Sequence, residues 1–469
     1  MFNYRSLALK KLSQVGTRYL PFAEVASEDV PLSRLLRLSM FQVTVGMALV
    51  LLVGTLNRVM IVELGVPAAL VSVMIGLPIL FAPLRALVGF KSDNHRSALG
   101  LRRFPYIYRG TLLQFGGFAI MPFALLVLSG YGEAFDAPRW VGLSSAALSF
   151  LLVGAGVHIV QTVGLALATD LVPQEDQPKV VGLMYVMLLL GMIGAAFVYG
   201  LLLENYTPGR LIQVIQGTAV VTVLLNGISM WKQEPRVRNT RYQERSSQTF
   251  SLAWSSFSDR LGVKRLLTVI GLGTFAFGIA DVVLEPYGGQ VLHMSVAQTT
   301  KLTATLAFGT LCGLAYASWI LSRGGSPYAM CVKAALVGIP GYGLIILAAP
   351  LDWTALFVLG TLATGVGAGL FGHGTLTATM RSAPSGQVGL ALGAWGAVQA
   401  TAAGVGIAVG GLIRDAILAV QHGEGFAPAT AYLPVFATQI LFLLMALIVV
   451  TPLIRQHPRQ QNETAYVSG

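Results

Sequence analysis

The chain is organised by long apolar runs separated by short polar joints. Stretches free of Asp, Glu, Lys and Arg cover 38–57, 64–84, 110–132, 140–169, 180–203, 211–231, 266–280, 302–322, 334–351, 353–380, 382–413 and 425–454. A helix needs about 20 apolar residues to cross the hydrocarbon core of a bilayer, so the pattern predicts twelve transmembrane helices. Only 266–280 is short, and it reaches spanning length if the helix carries Asp281 and Glu285 within it. Backbone groups in lipid must be satisfied within their own segment, which selects helices over open strands.

One polar stretch, roughly 232–263, is much longer than the others and divides the twelve runs into two sets of six. The expected organisation is a cytoplasmic N-terminal segment over 1–37, a six-helix bundle over 38–231 and a central loop over 232–265. A second bundle over 266–455 and a tail over 456–469 follow. VGAG recurs at 153–156 and 366–369, in the fourth run of each half, which fits a duplication. An all-α integral membrane fold with two six-helix halves points to the major facilitator superfamily arrangement.

Composition agrees. Hydrophobic residues make up 55% of the chain and charged ones 11%, against about 25% charged in a soluble protein. There is too little polar surface for a soluble globule, so the bilayer is the expected solvent. A net charge of +11 would raise nucleic-acid binding in a soluble protein, but here its distribution gives it another meaning. With an even number of spans, twenty-three Lys and Arg fall in segments on one side, and four (Arg139, Arg210, Lys301, Arg414) on the other. That asymmetry puts both termini in the cytoplasm and leaves no nucleic-acid partner to invoke. The first 37 residues lack an early apolar core and do not read as a cleaved signal. Cys312 and Cys331 are read as small packing residues rather than a disulfide framework.

Ionisable groups at membrane depth are costly and usually functional. Arg58 and Glu63 lie at the far end of the first run, where snorkelling to the interface is one reading. Asp281 and Glu285, four apart, share one helix face, and Pro286 with Gly288 and Gly289 is expected to break or kink that helix. Aligning the first and seventh runs suggests a polar intramembrane site in which Arg58 pairs with Glu285 or Asp281. Gln161 and Gln399 are expected to be interhelical hydrogen bonders at the same depth. In the loop after the second run, Gly89, Asp93, Arg102 and Arg103 are similar to the Gly-x-x-x-Asp…Gly-Arg-Arg loop of the superfamily, with a longer spacer. A positive-inside cluster with an acidic partner accounts for most of that loop. Walker loops, clustered Cys/His metal patterns and nucleophile elbows are absent from the sequence, so no catalytic residues and no enzyme activity are expected.

Several segments together resemble the PucC/LhaA family, also called the bacteriochlorophyll delivery family. They are RYLPFAEVASEDVPLSRLLRLSMFQ (18–42), GTLNRVMIVELGVPA (54–68), FKSDNHRSALGLRRFPYIYRGTLLQFGG (90–117) and DVVLEPYGGQVLHMSVAQTT (281–300). The resemblance implies a twelve-helix fold and an assembly factor for a bacterial light-harvesting antenna complex (LH1 or LH2). It implies the inner, intracytoplasmic photosynthetic membrane as location. Bacteriochlorophyll is the implied cofactor or cargo. Antenna α/β polypeptides, or the complex of LH1 with the reaction centre, are the implied partners.

A histidine at membrane depth ligates the magnesium of a chlorin through a neutral ring nitrogen, or else hydrogen-bonds a neighbouring helix. His158 and His373 are therefore candidate pigment ligands, and the residues alone leave both readings open. A proton-coupled secondary transporter of the major facilitator superfamily, with Asp281 and Glu285 as its proton site, is the alternative function.

Overall fold

The computed structural model describes residues 31–78, 101–130, 136–173, 176–234, 257–382, 388–420 and 429–467, with Val88 and Ser92. Its elements are helices. In chain order they are α1 (Leu32–Glu63), α2 (Ala68–Gly76), α3 (Phe104–Ser129), α4 (Arg139–Asp170), α5 (Gln177–Leu202) and α6 (Pro208–Met230). The second set is α7 (Val263–Gln290), α8 (Val296–Ser322), α9 (Pro327–Ala348), α10 (Thr354–Ser382), α11 (Val388–Val420) and α12 (Ala429–Val467).

Among the described residues eleven helices are long and apolar enough to cross a membrane. The remaining run, 64–84, is described only in part, as α2. Proline sets many starts: it is the residue before α1, α2 and α4, and the first of α6 and α9. There the missing N–H is no loss and its fixed φ suits the first turn. Gly130 ends α3 at φ 59°, a conformation open to glycine without steric penalty.

The helices fall into two compact units, one from 1–49, 84–195 and 211–240, the other from 50–83, 196–210 and 241–469. The first unit has a core of Leu35, Leu38, Phe41, Val160, Val163 and Met184, and a polar chain that is also buried. Thr44 donates to Asn226 (2.8 Å), and Asn226 donates to Thr111 (3.0 Å), tying α1, α6 and α3 together. In lipid such interhelical hydrogen bonds take the place of a hydrophobic drive between helices.

In the second unit α8 and α10 meet backbone to backbone. A Cβ added at Gly309, Gly313, Gly365 or Gly369 would collide with main-chain atoms of the facing helix. Gly406 of α11 similarly rests on the Phe275 carbonyl of α7, with 2.6 Å for an added Cβ. Cys331 is buried and Cys312 exposed, so only the first serves as internal packing.

Candidate functional site

A polar constellation lies in the second unit, where the C-terminal part of α1 meets α7 and α8. From Val50 onward α1 widens: Val50–Leu56 and Val59–Glu63 are π-helical. π-turns bond i to i+5 and concentrate at functional positions.

Pro286 does not break α7, which runs on to Gln290; of the break or kink expected from sequence, the break does not occur. Proline leaves the carbonyl four residues earlier without its helical donor. That carbonyl belongs to Val282, and Asn57 Nδ2 donates to it at 2.9 Å. The side chain from α1 thus replaces the bond the proline removes. Gly288 and Gly289 are helical as well, and serve close approach: a Cβ on Gly289 would lie 3.1 Å from Arg58 Nε and Nη2.

Arg58, 3% exposed, pairs through Nη1 with Glu63 and donates through Nη2 to the Met294 carbonyl at 3.1 Å. The expected pair with Glu285 or Asp281 is therefore replaced by a local one. The cause is the π-helical winding, which brings residues five apart onto one face. Glu285, 3% exposed, accepts the Thr303 hydroxyl of α8 on Oε1, and its Oε2 has no hydrogen-bond partner in the structure described. Gly54 lies against it: an added Cβ would stand 2.5 Å from Glu285 Oε1. Thr55 and Thr300 share a hydrogen bond at 3.1 Å beside this contact. Asp281, one turn earlier on α7, is exposed between buried Ala280 and Val282.

Tyr206, in the joint between α5 and α6, feels the same cluster. Burial pushes its hydroxyl up to about 12, the Glu63 carboxylate adds to the rise and Arg58 opposes it.

The remaining candidates are dispersed. His158 and Gln161 sit half-buried on α4 in the first unit; His373 on α10 and Gln399 on α11 sit half-buried in the second. No group of three His, Cys, Asp or Glu able to hold a metal ion occurs among the described residues. A magnesium chlorin would ask for a single neutral ring nitrogen; His373 and His158, both half-buried, each carry one of the kind required.

Gly89 and Asp93 of the loop motif lie outside the described residues. Arg103 is 5% exposed, donates to Asp170 Oδ2 at 3.1 Å and to Ser92 at 2.6 Å, and so pins α3 to α4. Arg102 contributes its backbone N–H: Glu234 caps the start of α3 by accepting from the amides of Arg102, Arg103 and Phe104 at 2.6–2.9 Å. An anionic group at a helix N-terminus is favourable.

The sequence pattern missed one cluster. Arg414, counted there as a loop charge, lies inside α11 and is 8% exposed. It donates to Asp415 (2.6 Å) and to Gln290 of α7 (2.7 Å), which also accepts the Tyr432 hydroxyl of α12 (2.6 Å). Asp415 Oδ2 accepts from the Ala69 amide in the first turn of α2 (2.7 Å). The only signal was an adjacent Arg-Asp pair at the end of an apolar run.

The fold is similar to that of a solved bacterial homologue of the human lysosomal transporter Spinster, with a TM-score of 0.63 at 15% identity, covering 89% of this chain and 95% of that one. The chain belongs to the PUCC protein family, whose pattern matches residues 55–457. It is 61% identical to Protein PucC of Rhodobacter capsulatus over 463 residues, 97% of this chain and 100% of that protein. A more distant relative, 27% identical over 442 residues, is the bacteriochlorophyll synthase 44.5 kDa chain of Rhodobacter capsulatus, with 90% of this chain and 95% of that protein covered.

Proposed function

We propose that this protein is an assembly factor for a bacterial light-harvesting antenna complex, handling bacteriochlorophyll, antenna polypeptides or both at membrane depth. The observation that carries the reading is the whole-length identity of 61% to a Protein PucC. The pigment name of the more distant relative supports it. Bacteriochlorophyll enters as cargo, offering a magnesium in need of one axial base. His373 and His158, both half-buried at membrane depth, are the residues to supply it. Both termini face the cytoplasm of a photosynthetic inner membrane in this reading, as the Lys and Arg distribution requires.

The test is complementation. A strain deleted for its own family member and carrying this chain should regain antenna absorbance, and a strain carrying the empty vector should not. Failure of a well-expressed chain to restore the antenna overturns the reading.

A second reading has its own observation. Glu285 is a buried carboxyl with one oxygen unpartnered in the structure described, and Asp281 lies one turn away. A proton-coupled transporter would use such a group. In that case Glu285→Gln should abolish solute-dependent proton uptake in vesicles. Antenna assembly that persists in Glu285→Gln separates the two readings.

A further inference from the structure

One face of α8 carries an unusual stack. Phe308, Cys312, Tyr316, Trp319 and Arg323 recur at helical spacing along a single stripe, and all are exposed. The Arg323 guanidinium lies 4.0 Å from the Trp319 ring centroid. Trp319 stacks on Tyr316 at 6.2 Å. On the other side of Tyr316, Lys333 of α9 sits 5.2 Å from the ring centroid and donates to the Tyr316 hydroxyl at 3.2 Å. The order is cation, ring, ring, cation.

No carboxylate among the described residues pairs with Arg323 or Lys333. Lys333 stands in the second turn of α9, about 9 Å along the axis from its first residue. Two positive charges therefore lie on an apolar, outward face of two spans without an anion beside them. Rings contribute only a weak quadrupolar attraction to a cation, and charge next to hydrocarbon is costly. Tyr and Trp on such a face sit at headgroup level, where the nearest anions are phosphodiesters. An arginine fork and a lysine point charge are the two ordinary ways to hold one.

We propose that the α8–α9 face is a binding site for an anionic phospholipid. Arg323 holds the headgroup phosphate, Lys333 adds its positive charge to the same face from the far end of the ring pair, and Trp319, Tyr316 and Phe308 line the path of an acyl chain. An acidic side chain on a partner span would meet the same charges. The headgroup-level position of the Tyr316–Trp319 pair and the apolar face that continues from it to Phe308 favour the lipid.

The test uses the full chain in mild detergent. Native mass spectrometry follows retention of phosphatidylglycerol and phosphatidylcholine with the same acyl chains. Wild type should retain phosphatidylglycerol preferentially. The variant Arg323→Gln with Lys333→Gln should bind it roughly 30-fold more weakly, from about 1 kcal/mol per basic residue. Circular dichroism and melting in lipid-free neutral detergent check that the variant folds. The wild-type preference between the two lipids needs no variant at all. Equal retention of both lipids, or unchanged phosphatidylglycerol binding by the folded double variant, overturns the proposal. So does displacement of the lipid by millimolar inorganic phosphate, which would mark a free-anion site. Retention of an acidic polypeptide in place of lipid would assign the face to a protein partner instead.

Discussion

Asn57 donates its side-chain amide to the Val282 carbonyl at 2.9 Å, the group that Pro286 leaves without a helical donor. The acceptor that the proline leaves open is thereby satisfied by a residue 225 positions away in sequence. Replacing Asn57 with Leu should lower stability by about 1–2 kcal/mol, the range for orphaning a buried acceptor in a helical membrane protein. Pro286→Ala supplies an N–H to the same carbonyl, so the loss should shrink in that background. Thermal melts of the two single variants and the double variant in detergent measure the coupling. Simple additivity would refute the substitution of one donor for the other.

Gly54 leaves room for the Glu285 carboxyl, with 2.5 Å from an added Cβ to Oε1 and 3.1 Å to Thr303 Oγ1. Gly54→Ala should displace Glu285 from its Thr303 hydroxyl and lower the melting temperature. Combining it with Glu285→Ala should cost less than the two single changes added together. Wild-type stability of Gly54→Ala alone would show that the helices yield at this point.

Glu63 neutralises the buried guanidinium of Arg58, and its own side chain is 36% exposed. Glu63→Gln should destabilise the fold, by less than the roughly 3–5 kcal/mol for breaking a fully buried pair, since water reaches one partner. Replacing both residues with Met should be better tolerated than Glu63→Gln. Denaturant titration of the three variants decides it; a double variant worse than Glu63→Gln would contradict the pairing.

Tyr206 supplies a pH dependence. Its hydroxyl is pushed from an ordinary 10 to about 12 by burial and by Glu63. Folding therefore favours the neutral phenol, and the unfolded chain ionises first. The associated stability is fully present below about pH 10 and is lost as pH rises through 12. The 295 nm absorbance difference between wild type and Tyr206→Phe should titrate near 12, and Glu63→Gln should bring that midpoint down. A midpoint near 10 in wild type would refute this environment.

The helices were legible in the sequence because lipid imposes one rule on every span: length and apolarity. Asp281, Glu285 and Arg58 were legible for the complementary reason, that charge at membrane depth stands out. Their partners were not. The helix alignment proposed Arg58 with Glu285, whereas π-helical winding delivers Arg58 to Glu63, and nothing in residue identity announces a π-turn. Gly288 and Gly289 were taken for irregular backbone, yet they are helical and make room for neighbouring side chains. Arg414 was misplaced because a charge ending an apolar run looks like a loop, and only packing against Gln290 and Tyr432 reveals a helical interior position.

The central claim is that this chain handles bacteriochlorophyll within the membrane, and an absorption spectrum tests it most directly. The protein would be purified in mild detergent from a strain that makes bacteriochlorophyll but lacks antenna polypeptides. A stoichiometric near-infrared band is predicted, lost or shifted in His373→Ala and retained in Gln399→Ala. A folded but colourless protein would contradict direct pigment handling.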